Sequence, residues 1–442
     1  MRLSAYHSAT HTYMTGTRRP LASLLIFLTF CILPAAHAHA GGWNAAIGEL
    51  PHLPPRFVAV DKSRQTLFLY RHSSPLEVSA TYTCTTGQAT GDKQVEGDLR
   101  TPEGVYFVEH RIDKGLDWDL YGGIAYTLNY PNPVDALRRK TGFGIWIHGR
   151  GHEITPRETQ GCIALNMADI EVLGPGLERG LPVIVAQGVN ATGAQPEAER
   201  DAATARLLAQ RSQQWAAAWQ ARSDDFFDFY APEQYTLSGS GRFNAFRQQK
   251  ERLFRHLDWI QTIVRDVQAL EGPGYWVTWF RQYYRAPNLT TEGIRRLYWL
   301  QDPQGAWRVA GMEWRPGAVG MKQEYMDFVR GEGEKFVSRW RTAWLNADME
   351  KYMECYARDA VQGGRSGIAD IRSQKAALWS QKKPRRVILD DINVSLHHDG
   401  LKLTMTQRYA DSSGYSDEGV KTLVLRPEGE SWRIVREDWR QD

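Results

Sequence analysis

The strongest constraint on this chain is that its carboxy-terminal half repeats itself. Trp215 and Trp219 recur as Trp340 and Trp344, Arg247 and Lys250 as Arg372 and Lys375, and Glu292-Gly293-Ile294 as Glu418-Gly419-Val420. Trp307-Arg308-Val309 returns as Trp432-Arg433-Ile434 and Trp314 as Trp439, every pair 125 or 126 positions apart. A period that long is a whole domain rather than a solenoid unit. Each copy opens with an amphipathic helix whose aromatic residues fall four apart, as in Phe336, Trp340 and Trp344, and ends in strands such as Tyr275 to Phe280 and Val387 to Leu396. Helices followed by antiparallel strands predict two tandem α+β domains, over 201–316 and 322–442. Tryptophans at helical spacing and strand ends suit a core better than a glycan-stacking platform. Aligning Tyr230 with Tyr356 sets Cys355 opposite Phe229, at a core position.

Ahead of the repeats, residues 41–188 read as one mainly-β domain. Phe57–Val60, Thr66–Tyr70, Leu76–Cys84, Val105–Val108, Ile124–Leu128, Phe143–Ile147 and Leu181–Ala186 are predicted strands. One helix is signalled, with Asn166 as N-cap and Asp169, Ile170 and Leu173 behind it, ending near Gly174-Pro175-Gly176. Residues 189–200, rich in Gly, Pro and Ala, read as a linker.

Residues 1–40 read as a secretory signal. Arg18-Arg19 precedes the apolar run Leu21 to Leu33, and Ala36-His37-Ala38 and Ala38-His39-Ala40 offer small-residue cleavage sites. The run is short for a membrane span, so no integral span is expected after cleavage, and general secretion fits better than twin-arginine export. Removing this segment turns a formal charge of +3 into a balance of 51 basic and 51 acidic residues. A neutral chain argues against nucleic acid as partner. Export also leaves three cysteines, Cys84, Cys162 and Cys355. An odd set suggests one reactive thiol and two buried ones, and a Cys84–Cys355 bridge would need the right geometry.

The chemistry gathers in Ile147 to Leu165. His148 and Cys162 stand 14 positions apart, each beside a glycine. A thiol attacks only as thiolate, and an imidazole that takes its proton supplies that nucleophile and later protonates a leaving amine. Gly161 permits a tight turn in which the backbone N–H groups of Gly161 and Cys162 converge on a developing oxyanion. The carbonyl of Gly149 is placed to fix the imidazole tautomer. Thr159 either lines the site or satisfies the turn with its hydroxyl. Trp146 shares the face of His148, opposite Phe143, Ile145 and Ile147. Trp146, Arg150, His152 and Gln160 are the candidate substrate contacts, while Arg138-Arg139-Lys140 suits a solvated turn. A helix starting beyond Cys162 would favour the thiolate if it lies close enough. His148, His152 and Cys162 also admit a zinc reading, but Gly149-Arg150-Gly151 between the histidines looks like a loop without helical ligand spacing, and no metal or cofactor is expected.

His148-Gly149 with Thr159-Gln160-Gly161-Cys162-Ile163 resembles the signature of the L,D-transpeptidase (YkuD-type) catalytic domain family, and Thr101-Pro102-Glu103-Gly104-Val105-Tyr106 extends the likeness. It covers about residues 55 to 188, under a third of the chain, and departs where relatives carry arginine: this chain has Ala164. The resemblance implies a mainly-β fold and a periplasmic enzyme acting on peptidoglycan stem peptides. Cys162 would attack the bond between the L-centre of the third residue, such as meso-diaminopimelate, and the terminal D-alanine. Water would resolve the thioester to a tripeptide; an amine would give a crosslink or attach a protein. The repeats resemble the nuclear-transport-factor-2-like fold, which often offers a pocket or a surface for a dimer or protein partner. That combination is similar to the cell-shape L,D-carboxypeptidases, and with Ala164 it tilts the expectation toward hydrolysis. Transpeptidation is the alternative, and an inactive wall-binding scaffold the third.

Overall fold

A computed structural model describes residues 42–191 and 195–441. The expected export signal lies outside the described residues, and among them no helix is long and apolar enough to cross a membrane.

The first domain is built on strands β1 (Asn44–Ile47), β2 (Arg56–Asp61), β3 (Thr66–His72), β4 (Leu76–Thr83), β5 (Gly104–Ile112), β6 (Ala125–Leu128), β7 (Trp146–Arg150), β8 (Ile163–Asn166), β9 (Pro182–Ala186) and β10 (Gly188–Ala191). Eight form one sheet in the order β4-β3-β2-β9-β5-β6-β7-β8, while β1 pairs with β10. The helices are α1 (Trp118–Tyr121), α2 (Pro133–Leu137) and α3 (Met167–Leu173). In β2, β5 and β9 apolar residues run without alternation, because both faces are covered. Val58, Val60, Tyr106, Val183 and Val185 join Ile147, Ile163 and Ile170 in the domain's own core. The intervening Phe57, Ala59, Val105, Phe107 and Ile184 pack instead on Leu270, Tyr275, Val277, Trp279 and Tyr298 of the first repeat.

The first repeat comprises α4 (Gln195–Ala221), α5 (Pro232–Leu237), α6 (Phe243–His256) and the sheet β11 (Gln261–Gly272), β12 (Tyr275–Ala286), β13 (Leu289–Gln301) and β14 (Trp307–Pro316), paired in that order. The second comprises α7 (Met321–Leu345), α8 (Met349–Met353), β15 (Tyr356–Gln362), β16 (Arg365–Ser366), α9 (Ile368–Gln381), β17 (Pro384–His397), β18 (Gly400–Asp411), β19 (Ser416–Glu428) and β20 (Ser431–Gln441). The sequence repeat is a repeat in space: Trp215 Nε1 donates to the Tyr230 hydroxyl at 2.8 Å, and Trp340 Nε1 to that of Tyr356 at 3.2 Å. Lys250 stands over Trp219 as Lys375 stands over Trp344.

Several expectations change. Residues 189–200 are not simply a linker, since β10 pairs with β1 and α4 already begins at Gln195, with Pro196 and Glu197 in its first turn. The strand expected from Phe143 starts at Trp146: Gly142 and Gly144 take φ of 93° and 74°, and Phe143 is 79% exposed. Gly149 and Arg150 continue that strand rather than opening a loop. Cys84, Cys162 and Cys355 are all free thiols, and Cys84 and Cys355 are buried. Lys140, expected in a solvated turn, is buried between Asp92 and Asp135, 2.8 Å from each.

Candidate active site

Strands β7 and β8 run parallel, with Ile147 opposite Ile163 and His148 opposite Ala164. That register puts Trp146, His148 and Cys162 on one face, since side chains two apart on a strand point the same way and Cys162 immediately precedes β8. His148 is buried, with Tyr121 of α1 packed edge-on 5.2 Å from its ring; Tyr121 also packs on Trp146. Its Nδ1 lies 2.6 Å from the Gly149 carbonyl. A carbonyl only accepts, so Nδ1 carries the proton and Nε2 keeps a lone pair. Burial pushes the imidazole down to about 4, so it is neutral at pH 7.

Cys162 is half-buried. Its Sγ donates to the Gly144 carbonyl at 3.4 Å and receives the Trp146 N–H; His148 and Cys162 share no hydrogen bond among the described residues. Enclosure pushes the thiol up to about 11, against the lowering effect of the Trp146 N–H, Arg150 and Lys93. The resting pair is therefore a neutral thiol beside a neutral imidazole. Helix α3 does not supply the missing stabilisation: it starts at Met167, beyond the four residues of β8, or about 13 Å of strand.

The turn before Cys162 is held from below by residues 85–88. Thr85 and Ala164 exchange backbone hydrogen bonds of 2.8 and 2.9 Å, Thr159 N–H donates to Thr86 O, and Gln88 N–H to Thr159 O. Gly161 takes φ 129°, and a Cβ there would meet Arg100 O at 2.8 Å, so the close approach of two backbones requires glycine. The Thr159 hydroxyl donates to Cys162 O at 2.7 Å and accepts the Gly161 N–H at 3.2 Å. Thr159 thus serves the turn instead of lining the site. Of the two expected oxyanion donors, Gly161 N–H is already engaged, while Cys162 N–H makes no hydrogen bond among the described residues.

The expected substrate contacts divide. Trp146 is half-buried on the face of His148, and Gln160 is exposed beside the cysteine. His152 sits at the surface, its Nε2 3.5 Å from Glu158. Arg150 is occupied internally: Nε bonds Glu158 at 3.0 Å and NH1 reaches the Leu120 carbonyl at 3.1 Å, closing the end of α1. Sequence reasoning missed Tyr121, Glu158 and the Gly144 carbonyl. Only Glu158, eight positions from Arg150, left a charge signal in the sequence.

A mainly-β domain that presents a cysteine and a tautomer-fixed histidine on one face, behind a glycine turn, holds the groups that cysteine acyl transfer requires. Residues 55–185 match the YkuD family, the L,D-transpeptidase catalytic domain, and residues 207–311 and 334–438 each match the Cds6 C-terminal NTF2-like domain. The chain therefore carries an L,D-transpeptidase-family catalytic domain, whose family acts on peptidoglycan, followed by two NTF2-like domains. Among solved structures it is similar to Bd1075 of Bdellovibrio bacteriovorus, at 22% identity over 63% of this chain and 98% of that one, with a TM-score of 0.49. It is also similar to the helical cell shape determining protein Pgp2 of Campylobacter jejuni, at 24% identity over 58% and 91%, with a TM-score of 0.47. No curated protein matches it by sequence.

Proposed function

We propose that this protein is a periplasmic L,D-carboxypeptidase that trims peptidoglycan tetrapeptide stems to tripeptides through a thioester on Cys162. The observation that carries the acyl-transfer reading is the imidazole itself, its Nδ1–H given to Gly149 and its Nε2 lone pair left on the face of Cys162. As substrate enters, Sγ leaves the Gly144 carbonyl and passes its proton to Nε2 while sulfur attacks the carbonyl carbon before the terminal D-alanine. Cys162 N–H stabilises the oxyanion. The C–N bond then breaks, the imidazolium returns its proton to the departing amine, and D-alanine leaves. Water, losing a proton to His148, attacks the thioester and releases tripeptide and thiol.

Resolution by water rather than by an acceptor stem is supported at Ala164. This residue is fully buried in register with His148, at the position where the family that the sequence resembles usually has arginine, and Arg150 nearby has its guanidinium committed to Glu158 and α1. A forked cation that could hold an acceptor's carboxylate is lacking there. The export signal expected over residues 1–40 supports a periplasmic address.

The test is product analysis with disaccharide-tetrapeptide, alone and with excess acceptor amine. Tripeptide and free D-alanine in both reactions are expected. Crosslinked or exchanged products would replace this reading with transpeptidation. Cys162→Ala should abolish all turnover with unchanged circular dichroism, and any retained activity would remove Cys162 from the mechanism.

A further inference from the structure

The first hairpins of the two repeats end in tips that match in place and differ in chemistry. In the first repeat β11 and β12 meet at Gly272-Pro273-Gly274-Tyr275, with Gly272 paired to Tyr275. In the second, β17 and β18 meet at His397-His398-Asp399-Gly400, with His397 paired to Gly400. The two tips lie 125 positions apart, the same offset as the tryptophans. Each is held by an arginine of the domain before it. Arg138 donates to Pro273 O, and Arg285 NH2 donates to His397 O at 3.1 Å and to Gly400 O at 2.9 Å. Since Gly-Pro-Gly makes the same docked connection, neither the turn nor its docking calls for the histidines and the aspartate of the second tip.

Among the described residues, His397, His398 and Asp399 form the one group of three metal-ligating side chains that converges, their ligand atoms within 4.8 Å of one another. Asp399 Oδ2 lies 3.5 Å from His397 Nδ1 and 3.1 Å from His398 Nε2. A tetrahedral ion with ligands at about 2.0–2.1 Å sets neighbouring ligand atoms about 3.3–3.4 Å apart. Both histidine–carboxylate edges therefore already have the span that one ion needs. The two rings are 4.0 Å apart, and His398, its side chain 66% exposed, is free to turn and bring the nitrogens together. His397 Nδ1 accepts the Asp399 N–H at 3.2 Å, so it carries no proton and has the form in which imidazole ligates. The backbone beneath is fixed by Arg285, itself buried, so the three groups are presented from a pinned turn.

We propose that the β17–β18 tip of the second repeat binds a divalent transition-metal ion of the zinc class through His397, His398 and Asp399, with the fourth position open to water. Two imidazoles beside one carboxylate select such an ion over Mg2+ or Ca2+, which prefer shells of oxygen. The carboxylate offsets part of the ion's charge, and the exposure of the tip lets the ion enter from solvent. The site shares no residue with Cys162 and His148, so ion binding and turnover are separable.

The experiment is calorimetric titration of the full chain carrying Cys162→Ala, which removes the active-site thiol as a competing ligand, with Zn2+ and separately with Mg2+. One equivalent of Zn2+ should bind with a Kd of about 10 µM or tighter, and Mg2+ should not compete for it. His398→Ala and Asp399→Asn should each weaken that equivalent by about tenfold or more. Both side chains are exposed, so the thermal midpoint without metal should stay where it is, and the rise that Zn2+ gives the parent should be lost. Co2+ in place of Zn2+ should give the visible absorption of a tetrahedral site, again lost in His398→Ala. Three results would overturn the proposal. One is no saturable binding at about 100 µM Zn2+, which would leave the tip a turn of hydrogen-bonded surface histidines. Another is Zn2+ binding that both variants leave unchanged. The third is equal competition by Mg2+, the mark of a hard-cation oxygen site.

Discussion

The catalytic domain and the repeats bury polar groups in opposite ways. Behind the cysteine turn lies a web of ions: Lys62 bonds Glu103 and the carbonyls of Gly91 and Thr101, Lys140 joins Asp92 to Asp135, and Lys93 holds Asp98. The repeats are filled with aromatic rings instead, Trp215, Trp219, Phe226 and Tyr230 in the first and Trp340, Trp344, Tyr352 and Tyr356 in the second. Non-directional packing can fill a cone between helices and a sheet, but it cannot aim the N–H groups of an irregular loop. Charged hydrogen bonds aim them, at the cost of desolvation that only complete pairing offsets. The site is therefore specified by the more fragile kind of interior. For the same reason the loop from Gly87 to Gly97 is a pinned support under the turn and not a free lid.

The largest effect should come from unpairing that web. Lys140→Met keeps the volume but leaves the buried Asp135 and the partly buried Asp92 without their cation, and should cost about 3–5 kcal/mol. Urea unfolding followed by domain-resolved hydrogen exchange should place the loss in the first domain, with the repeats unchanged. A loss spread evenly over the chain would erase the distinction between the two interiors.

Gly161→Ala comes next. Its Cβ collides with backbone, not with a side chain that can move, so the turn must shift and carry Cys162 with it. Misplacement on the scale of an ångström costs on the order of a hundredfold in kcat/KM. Steady-state kinetics on disaccharide-tetrapeptide would show it, and near-normal turnover would mean that the turn tolerates repositioning.

How much of this was legible follows from the same contrast. Aromatic cores leave periodic marks, so the repeats could be read from Trp215, Trp219 and their partners at a fixed offset, down to the Tyr230–Tyr356 equivalence. His148, Gly149, Gly161 and Cys162 were legible because their chemistry demands particular residue types. The ion web was not: Lys62, Asp92 and Lys140 are far apart in sequence, and a lone charge in a turn reads as solvated. The role of Thr159 stayed open because one hydroxyl suits either use. The docking of the first repeat had a signal that was passed over, the unalternating runs Phe57-Val58-Ala59-Val60 and Val105-Tyr106-Phe107-Val108, which call for cover on both faces of the sheet.

Within the repeats, the polar network around Glu437 should stand out. Tyr356 OH takes the Trp340 and Gln362 N–H groups and also meets Tyr352 and Glu437, whereas among the described residues Tyr230 OH takes only Trp215 Nε1. Tyr356→Phe should cost about 2–3 kcal/mol by leaving a buried carboxylate short of a donor, and Tyr230→Phe about 1 kcal/mol. Equal losses would show that Glu437 does not depend on Tyr356.

The smallest effect is one that an assay at neutral pH would miss. His148 is held neutral, at about 4 in the folded domain against about 6.5 when unfolded. The unfolded chain therefore binds this proton first, and the stability of the catalytic domain, full above pH 6.5, falls as pH drops from 6.5 toward 4. Glu437 works lower: its contribution is present above about 4.5 and is lost as pH falls toward 2. Acid should thus loosen the catalytic domain before the second repeat, which hydrogen exchange at pH 5 would reveal. Activity should outlast that loosening, with the acid limb of kcat/KM set by the folded imidazole near pH 4 and not near 6.5. A limb at 6.5 would mean that the free enzyme exposes His148 to water, and that the shelter of Tyr121 and Gly149 forms only around substrate.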